Sequence, residues 1–405
     1  MLRLKDTRHS NTAGFLDSAI RIAEYYGFRS LEENNRLENQ KRDPTAPKEK
    51  RRAMPSAAEC EAEMSFARRD ERALVASAKK CLSHMRGNDM RLVWRISIGT
   101  LKERSSVPGL SLELHCIGST GAIAEALLLV VADAIAAEAG IKQRILSVNN
   151  IGSPDSSNRF IRDVGIYLRK HIESISPTLR PRVAQDPLGT LVALIERGHP
   201  ATPRAPQSME YLTEEERRRF WELLEYLEVF GLPYELNHQV LGSRDCWAHA
   251  LFEISTLDEE SGARILIASG GRYDPLAAKF LPMPAAMISV VCEIRGKARV
   301  KSAESASPAI FFAHLGPEAR RRTLGVMEIL RRADIPVHQS LLYERIGEQM
   351  AAARRLASPY ILIMGHKEAM EGTILVREVA TNAQDAVLLP ELPQYLRRRH
   401  IVVPA

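Results

Sequence analysis

Ser269–Phe280, SGGRYDPLAAKF, follows the apolar run ARILIA and reads as the end of a strand entering a tight glycine turn. Two adjacent glycines open backbone conformations closed to other residues, which suits a structural corner. The same missing side chains suit the floor of a small-ligand site, where a substrate approaches the backbone. Arg272, Tyr273 and Asp274 carry the same two readings. They either touch a ligand or are polar residues satisfied within the fold, with Asp274 capping or closing the turn.

The segments around this turn read as a sheet with helices. PYELNH, CWAHALFEI and ARILIA precede it as strands, and PAAMISVVCEI continues the sheet. Farther upstream, MRLVWRISIGTL and GLSLELHCIG flank the charged connection KERSSVPG as an antiparallel hairpin, and RILSVNNIG is another strand. Apolar side chains at helical spacing mark residues 13–26, closed by Gly27, and residues 121–139. A mostly helical segment follows from about 154 to 230, opened by the capping candidates Ser156 and Ser157 and interrupted by the loop PATPRAP. Within it, Thr213 and Glu216 make a capping-box pattern. KSAESASP at 301–308 has the composition of a linker. The alternation of strands and helices beyond it predicts a small, separate α/β domain with a mixed sheet.

A chain of 405 residues has room for two or three domains. Its 45% apolar and 26% charged residues are ordinary for a soluble globular protein. The N-terminus lacks an apolar stretch of signal-peptide length. The longest apolar run, EALLLVVADAIAAEAG, is interrupted by Asp133 and too short to cross a bilayer, so it reads as a buried helix. Cys60, Cys81, Cys116, Cys246 and Cys292 are scattered with no CxxC pair. That pattern predicts reduced thiols in a cytoplasmic protein and no metal site. The net charge is +6, and residues 36–52 carry seven Lys or Arg against three acids. Arginine clusters recur at 320–322, 354–355 and 397–399. They suit a polyanion such as RNA, or they are solvated helix faces.

In this order, the segments resemble histidyl-tRNA synthetase, a class II aminoacyl-tRNA synthetase, over nearly the whole chain. GGRYD resembles that family's second histidine-site motif, and VNNIGS resembles the start of its insertion domain. QDPLGTL and YLTEEERRRFWELLEYLEVFGLPYEL continue the family's order, and residues 309–396 resemble its C-terminal anticodon-binding domain. The implied fold is α/β, with an α+β catalytic-type core at 1–300 built on the class II antiparallel sheet. The core would hold the insertion-like segment 154–230, with a linker at 301–308 and a small anticodon-binding-like α/β domain at 309–405. A homodimer formed through the core is also implied, with GFRSLEE near the dimer-forming motif.

The family's reaction joins an amino-acid carboxylate to the α-phosphate of ATP, with arginines and Mg²⁺ holding the charged oxygens. Several positions that the resemblance assigns to this work carry other residues. Lys102, followed by Glu103 and Arg104, stands where an ATP-gripping arginine belongs; Lys102 and Arg104 read equally well as exposed loop charges. VLGSRDCWAHALFE aligns with the family's LVRGLDYYTGTVFE, so the catalytic arginine falls on Gly242 and the paired tyrosines on Cys246 and Trp247. Arg244 lies two residues on and in a strand would share that face. The glycines of class motif 3 become Met287 and Val291, and its arginine becomes Ile294, beside Arg295. Cys116 and Thr120 replace a substrate-binding glutamine and glutamate, while Glu71 retains an upstream glutamate.

The expected ligand-binding set is therefore Glu71, Gly270, Gly271, Arg272, Tyr273 and Asp274. If the chain is active, Lys102, Arg104, Arg244 and Arg272 are the catalytic candidates, with ATP and Mg²⁺ as cofactors. Three functions remain open. They are a non-catalytic paralogue that binds tRNA, a tRNA-like RNA or a protein partner; a divergent histidine–tRNA ligase; and the synthetase-like regulatory subunit of ATP phosphoribosyltransferase. The last generally lacks a C-terminal anticodon-binding domain.

Overall fold

The structure is a computed structural model that describes residues 12–31, 56, 58–59, 62, 64, 66–68, 71–83, 90–99, 109–258, 261–280, 283–293, 309–343, 345–399 and 401. The basic stretch 36–52, Cys60, Lys102, Glu103, Arg104, Ile294, Arg295 and the segment 301–308 lie outside the described residues.

Strand β3 (Gly109–Ile117) is buried along its whole length, and its period-two alternation divides two environments. Leu110, Leu112, Leu114 and Cys116 enter a large apolar cluster with helix α3 (Ile123–Glu138). Ser111, Glu113 and His115 face the other way, where Ser77 of helix α2 (Glu71–Leu82) bonds to both Glu113 and His115. Helix α3 is apolar around its circumference and buried from Ile123 to Ala132, as suits a helix enclosed on several sides. It packs on the sheet, on helix α1 (Thr12–Tyr25) and on helix α7 (Glu214–Phe230).

The first sheet also contains β1 (Arg29–Ser30), β2 (Arg91–Gly99), β4 (Ile145–Asn150), β5 (Tyr234–Leu236), β6 (Ala248–Leu257), β7 (Arg264–Arg272) and β8 (Ala285–Glu293). Its order is β1-β2-β3-β8-β7-β6-β4-β5. The strands from β2 to β4 in that order are antiparallel, and β1 and β5 add parallel edges. The expected hairpin is present, with Arg91 opposite Ile117 and Gly99 opposite Gly109. This is the antiparallel sheet with helices that the class II resemblance implied.

Helices α4 (Pro154–Lys170), α5 (Arg180–Gln185) and α6 (Pro187–Glu196), together with α7, fill most of the expected helical segment. The start of α4 differs from the sequence reading. Ser153 is its N-cap and Pro154 its first residue, because proline's fixed φ and missing N–H suit that position. Ser156 lies inside the first turn and donates its hydroxyl to Glu216 at 2.8 Å.

A second sheet holds β9 (Ile310–His314), β10 (Val337–Gln339), β11 (Tyr360–Met364), β12 (Thr373–Glu378) and β13 (Gln384–Leu388), ordered β10-β9-β11-β12-β13. β9 is parallel to β10 and β11, while β12 and β13 are antiparallel, so the sheet is mixed as expected. Helices α8 (Asp274–Phe280), α9 (Gly316–Arg332), α10 (Ile346–Arg355), α11 (His366–Glu371) and α12 (Leu392–Arg398) complete the described helices. One apolar cluster runs from α1 and α3 into α9 and β9, so the second sheet packs on the first. Tyr26 donates its hydroxyl to the Glu328 carboxylate at 2.8 Å, and Tyr25 donates to the carbonyls of Met327 and Ile335 at 3.1 Å. These partners lie more than 300 positions apart, a pairing that no local pattern encodes.

The capping box of α7 is present as read. Thr213 N–H donates to Glu216 at 2.7 Å, and Glu216 N–H donates to the Thr213 hydroxyl at 3.3 Å. Glu216 also accepts Ser153 N–H at 2.6 Å, so one carboxylate serves the starts of both α7 and α4. Burial opposes its charge, but these donors outweigh burial and hold its pKa near about 2. The folded-state value is depressed, so its stabilisation is present above the unfolded pKa near 4.5 and is lost as pH falls through about 2. Urea unfolding between pH 2 and 7 checks this: Glu216→Gln flattens the acid limb, and an unchanged limb removes the assignment.

Candidate functional site

The end of β7 distributes its residues to both sides of the sheet. Arg272 turns toward α3, where its guanidinium meets Glu125 in a two-point ion pair, Nε to Oε1 at 2.9 Å and Nη2 to Oε2 at 2.7 Å. Its other N–H groups donate to the carbonyls of Ser119 at 2.9 Å and Gly121 at 3.3 Å, and to Asp274 at 3.4 Å. Arg219 from α7 adds a second guanidinium to Glu125 at 2.7 Å. Both Glu125 and Arg272 are about 1% exposed. Burial works against each charge, but the pairing prevails, lowering the Glu125 pKa and raising that of Arg272.

Tyr273 lies on the opposite side. Its hydroxyl is 3.0 Å from His115 Nδ1, and His115 Nε2 lies 3.3 Å from Ser77 Oγ. Glu113 completes this buried network, accepting from Ser77, from Ser97 at 2.6 Å and from Arg95 at 3.0 Å. Burial opposes both charges, but mutual contact holds Glu113 at about 2, while Cys81 and Glu113 lift His115 to about 9. Asp274 starts α8 and accepts Ala285 N–H at 2.7 Å, closing the turn as one sequence reading proposed; burial raises its pKa.

The two glycines are filled from outside. A Cβ on Gly270 would collide with the Met287 carbonyl and lie 2.7 Å from Ile288 Cα, both backbone atoms of the neighbouring strand. A Cβ on Gly271 would lie 2.6 Å from the Ala250 carbonyl and 3.1 Å from the Trp247 ring. Close strand approach therefore requires both glycines, which supports the structural-corner reading.

Glu71 begins α2 and is fully buried. Its carboxylate accepts N–H groups from Ala67 at 2.8 Å, Arg68 at 3.1 Å and Ser243 at 2.6 Å. A fourth bond comes from the indole N–H of Trp247 at 3.1 Å. This indole lies across Gly242. A Cβ there would meet Trp247 Cδ1, sit 2.7 Å from Nε1 and lie 3.1 Å from Glu71 Oε1. Trp247 thus occupies the space a side chain at 242 would enter. Around it, Leu74, Leu251, Tyr273, Leu276 and Met287 form an apolar cluster.

The other expected positions do not converge here. Arg244 is exposed in a turn that ends before β6 begins, and it donates to Asn158 of α4. The alternation invoked for residues 242 and 244 therefore does not apply. Cys116 is buried on the α3 side, where burial pushes its thiol up to about 12, and Thr120 is exposed. Met287 packs beside Gly271 and His115, so a buried side chain stands where the resemblance asks for a glycine beneath ATP. That buried side chain does not fit an ATP lying against the strand at 287.

Sequence reasoning missed Glu125, Arg219 and the Trp247–Glu71 bond. A signal for Glu125 was available: it is a carboxylate in the first turn of a largely apolar helix. His249 was also missed. Its φ of 55 lies in the left-handed region and coincides with a register shift in β6, at the position aligned with a family glycine. Its Nδ1 is buried without a partner beside a cleft of about 10 Å³, room for about one water. Burial, then Arg219 and Arg272, lower its pKa to about 4.

Glu125→Ala removes the main partner of the buried Arg272, a loss expected to be about 3–5 kcal/mol. Gly270→Ala forces strand backbone apart and should cost about 1–3 kcal/mol. Denaturant unfolding measures both, and a Gly270→Ala variant of unchanged stability contradicts the corner assignment.

Residues 310–399 match the family model of the anticodon binding domain. Over 296 residues the chain is 27% identical to the histidine–tRNA ligase of Symbiobacterium thermophilum, covering 71% of this chain and 68% of that protein. It is also 27% identical over 290 residues to the histidine–tRNA ligase of Bacillus velezensis, covering 70% and 68%. The solved structure of apo histidyl-tRNA synthetase from S. aureus is similar over 96% of this chain and 99% of that one, at 19% identity and a TM-score of 0.46. Among the described residues no helix is long and apolar enough to cross a membrane. The chain is thus similar to histidine–tRNA ligases over about 70% of its length, and it carries a match to an anticodon binding domain at 310–399.

Proposed function

We propose that this chain is a non-catalytic member of the histidyl-tRNA synthetase family that retains the scaffold and acts by binding RNA. The observation that carries this reading is the Trp247 indole lying across Gly242 and bonded to Glu71. Amino-acid activation concentrates negative charge on carboxylate and phosphate oxygens, and a planar arginine fork is suited to hold it. At 242 the resemblance calls for such an arginine, yet the backbone there carries no side chain and the adjoining space is filled. Arg244 and Arg272, the candidates for compensation, are bonded to Asn158 and Glu125. Groups that act as a unit in catalysis are not replaced by one survivor. The anticodon-binding match at 310–399 and the exposed arginines 354, 355 and 398 support RNA as the partner.

A divergent histidine–tRNA ligase is the second reading, favoured by the 27% identity to such ligases. ATP–pyrophosphate exchange, run with histidine and then with every other amino acid, separates the two. The expected result is no exchange above background; robust exchange with histidine establishes the ligase instead. Titration with tRNA at several salt concentrations tests the binding role. Phosphate contacts predict that log affinity falls linearly with log salt, and no binding at low salt removes RNA as the partner. Copurification with a short phosphoribosyltransferase catalytic chain would favour the regulatory-subunit reading.

A further inference from the structure

Helix α7 buries Glu216, Phe220, Leu223, Leu224 and Leu227 along one face. That periodicity places Trp221 on the solvent side with Glu214, Arg217, Arg218 and Glu228. The result is an indole 65% exposed, whereas Trp94 and Trp247, the other tryptophans, are each 6% exposed. Helical side chains lean toward the helix N-terminus, so the indole stands over the turn that carries Arg217 and Arg218. Both arginines are exposed. Arg219 turns inward to Glu125 and the Thr120 carbonyl, so the run RRR is divided between a structural residue and two outward cations. One turn beyond Trp221, the acidic Glu225 is bonded at 2.7 Å to Arg321 of α9, within the segment matching the anticodon-binding family. The surface therefore continues from α7 onto α9, where Arg322 is exposed.

A protein-binding hot spot needs surrounding apolar surface to exclude water. Trp221 lacks it on its own helix. Its outward neighbours are Arg217, Arg218 and the Glu225–Arg321 pair, and the next exposed apolar residue, Val229, is about 12 Å along the axis. An aromatic face flanked by cations suits a nucleobase attached to phosphates. We propose that Trp221 is a stacking platform for an unpaired RNA base, with Arg217 and Arg218 holding the adjoining phosphates. The proposal rests on the RNA-binding reading and assigns it a contact outside the Gly242–Trp247 region.

The test titrates the full chain with tRNA while following tryptophan fluorescence and, separately, filter-binding affinity at several salt concentrations. Because Trp94 and Trp247 are enclosed, base stacking should quench the emission of Trp221. Trp221→Ala should abolish the quenching and weaken affinity at least about fivefold with an unchanged salt slope. Arg217→Ala and Arg218→Ala should each reduce the salt slope by about 1. Trp221 is exposed, so the alanine variant should keep the parent's melting temperature, which separates lost contact from lost fold. If RNA binds but causes no quenching, and Trp221→Ala binds equally well, the stacking assignment is overturned while RNA binding stands. Loss of a copurifying protein by Trp221→Ala, with RNA affinity unchanged, also overturns it. If the parent chain binds no RNA at low salt, both the assignment and the reading beneath it fail.

Discussion

The buried ion pair between Glu125 and Arg272 is the constraint around which the first sheet is arranged. Two parallel hydrogen bonds join them with almost no exposure to water. The pair links the end of β7 to α3, and the remaining guanidinium N–H groups bind the loop from Ser119 to Gly121. Arg219 attaches α7 to the same carboxylate. Because strand side chains alternate, sending Arg272 toward α3 directs Gly271 and Tyr273 to the opposite face. Residues adjacent in SGGRYD are thereby divided between two environments and do not surround one ligand together.

On that opposite face the fold's own side chains fill the space beside Gly242. A missing side chain at 242 makes room for the Trp247 indole, and the Glu71 carboxylate that receives it also takes backbone N–H groups. Nearby, burial disfavours charge on Glu113 and His115, but Cys81 and Glu113 raise the His115 pKa while His115 and serine hydroxyls lower that of Glu113. Polar residues persist here, but their bonding capacity is directed inward.

Attachment of the second sheet follows the same pattern of polar bonds embedded in apolar contact. Tyr25 and Tyr26 at the end of α1 reach α9, and Glu328 is bonded in turn by Arg331 and Arg332. Packing of α9 against α1 and α7 draws both sheets into one apolar cluster.

The sequence by itself determined the local elements and their order. The hairpin of β2 and β3, the apolar helix α3, the Thr213–Glu216 capping box and the mixed second sheet all follow from spacing within a few residues. Gly242, standing where the resemblance calls for an arginine, was equally legible. Tertiary structure alone decided where each polar group points. Trp247 and Glu71 lie 176 positions apart, and Arg272 and Glu125 lie 147 apart. No local periodicity carries such pairings, because they depend on which sheet face each strand presents and on which helix covers it.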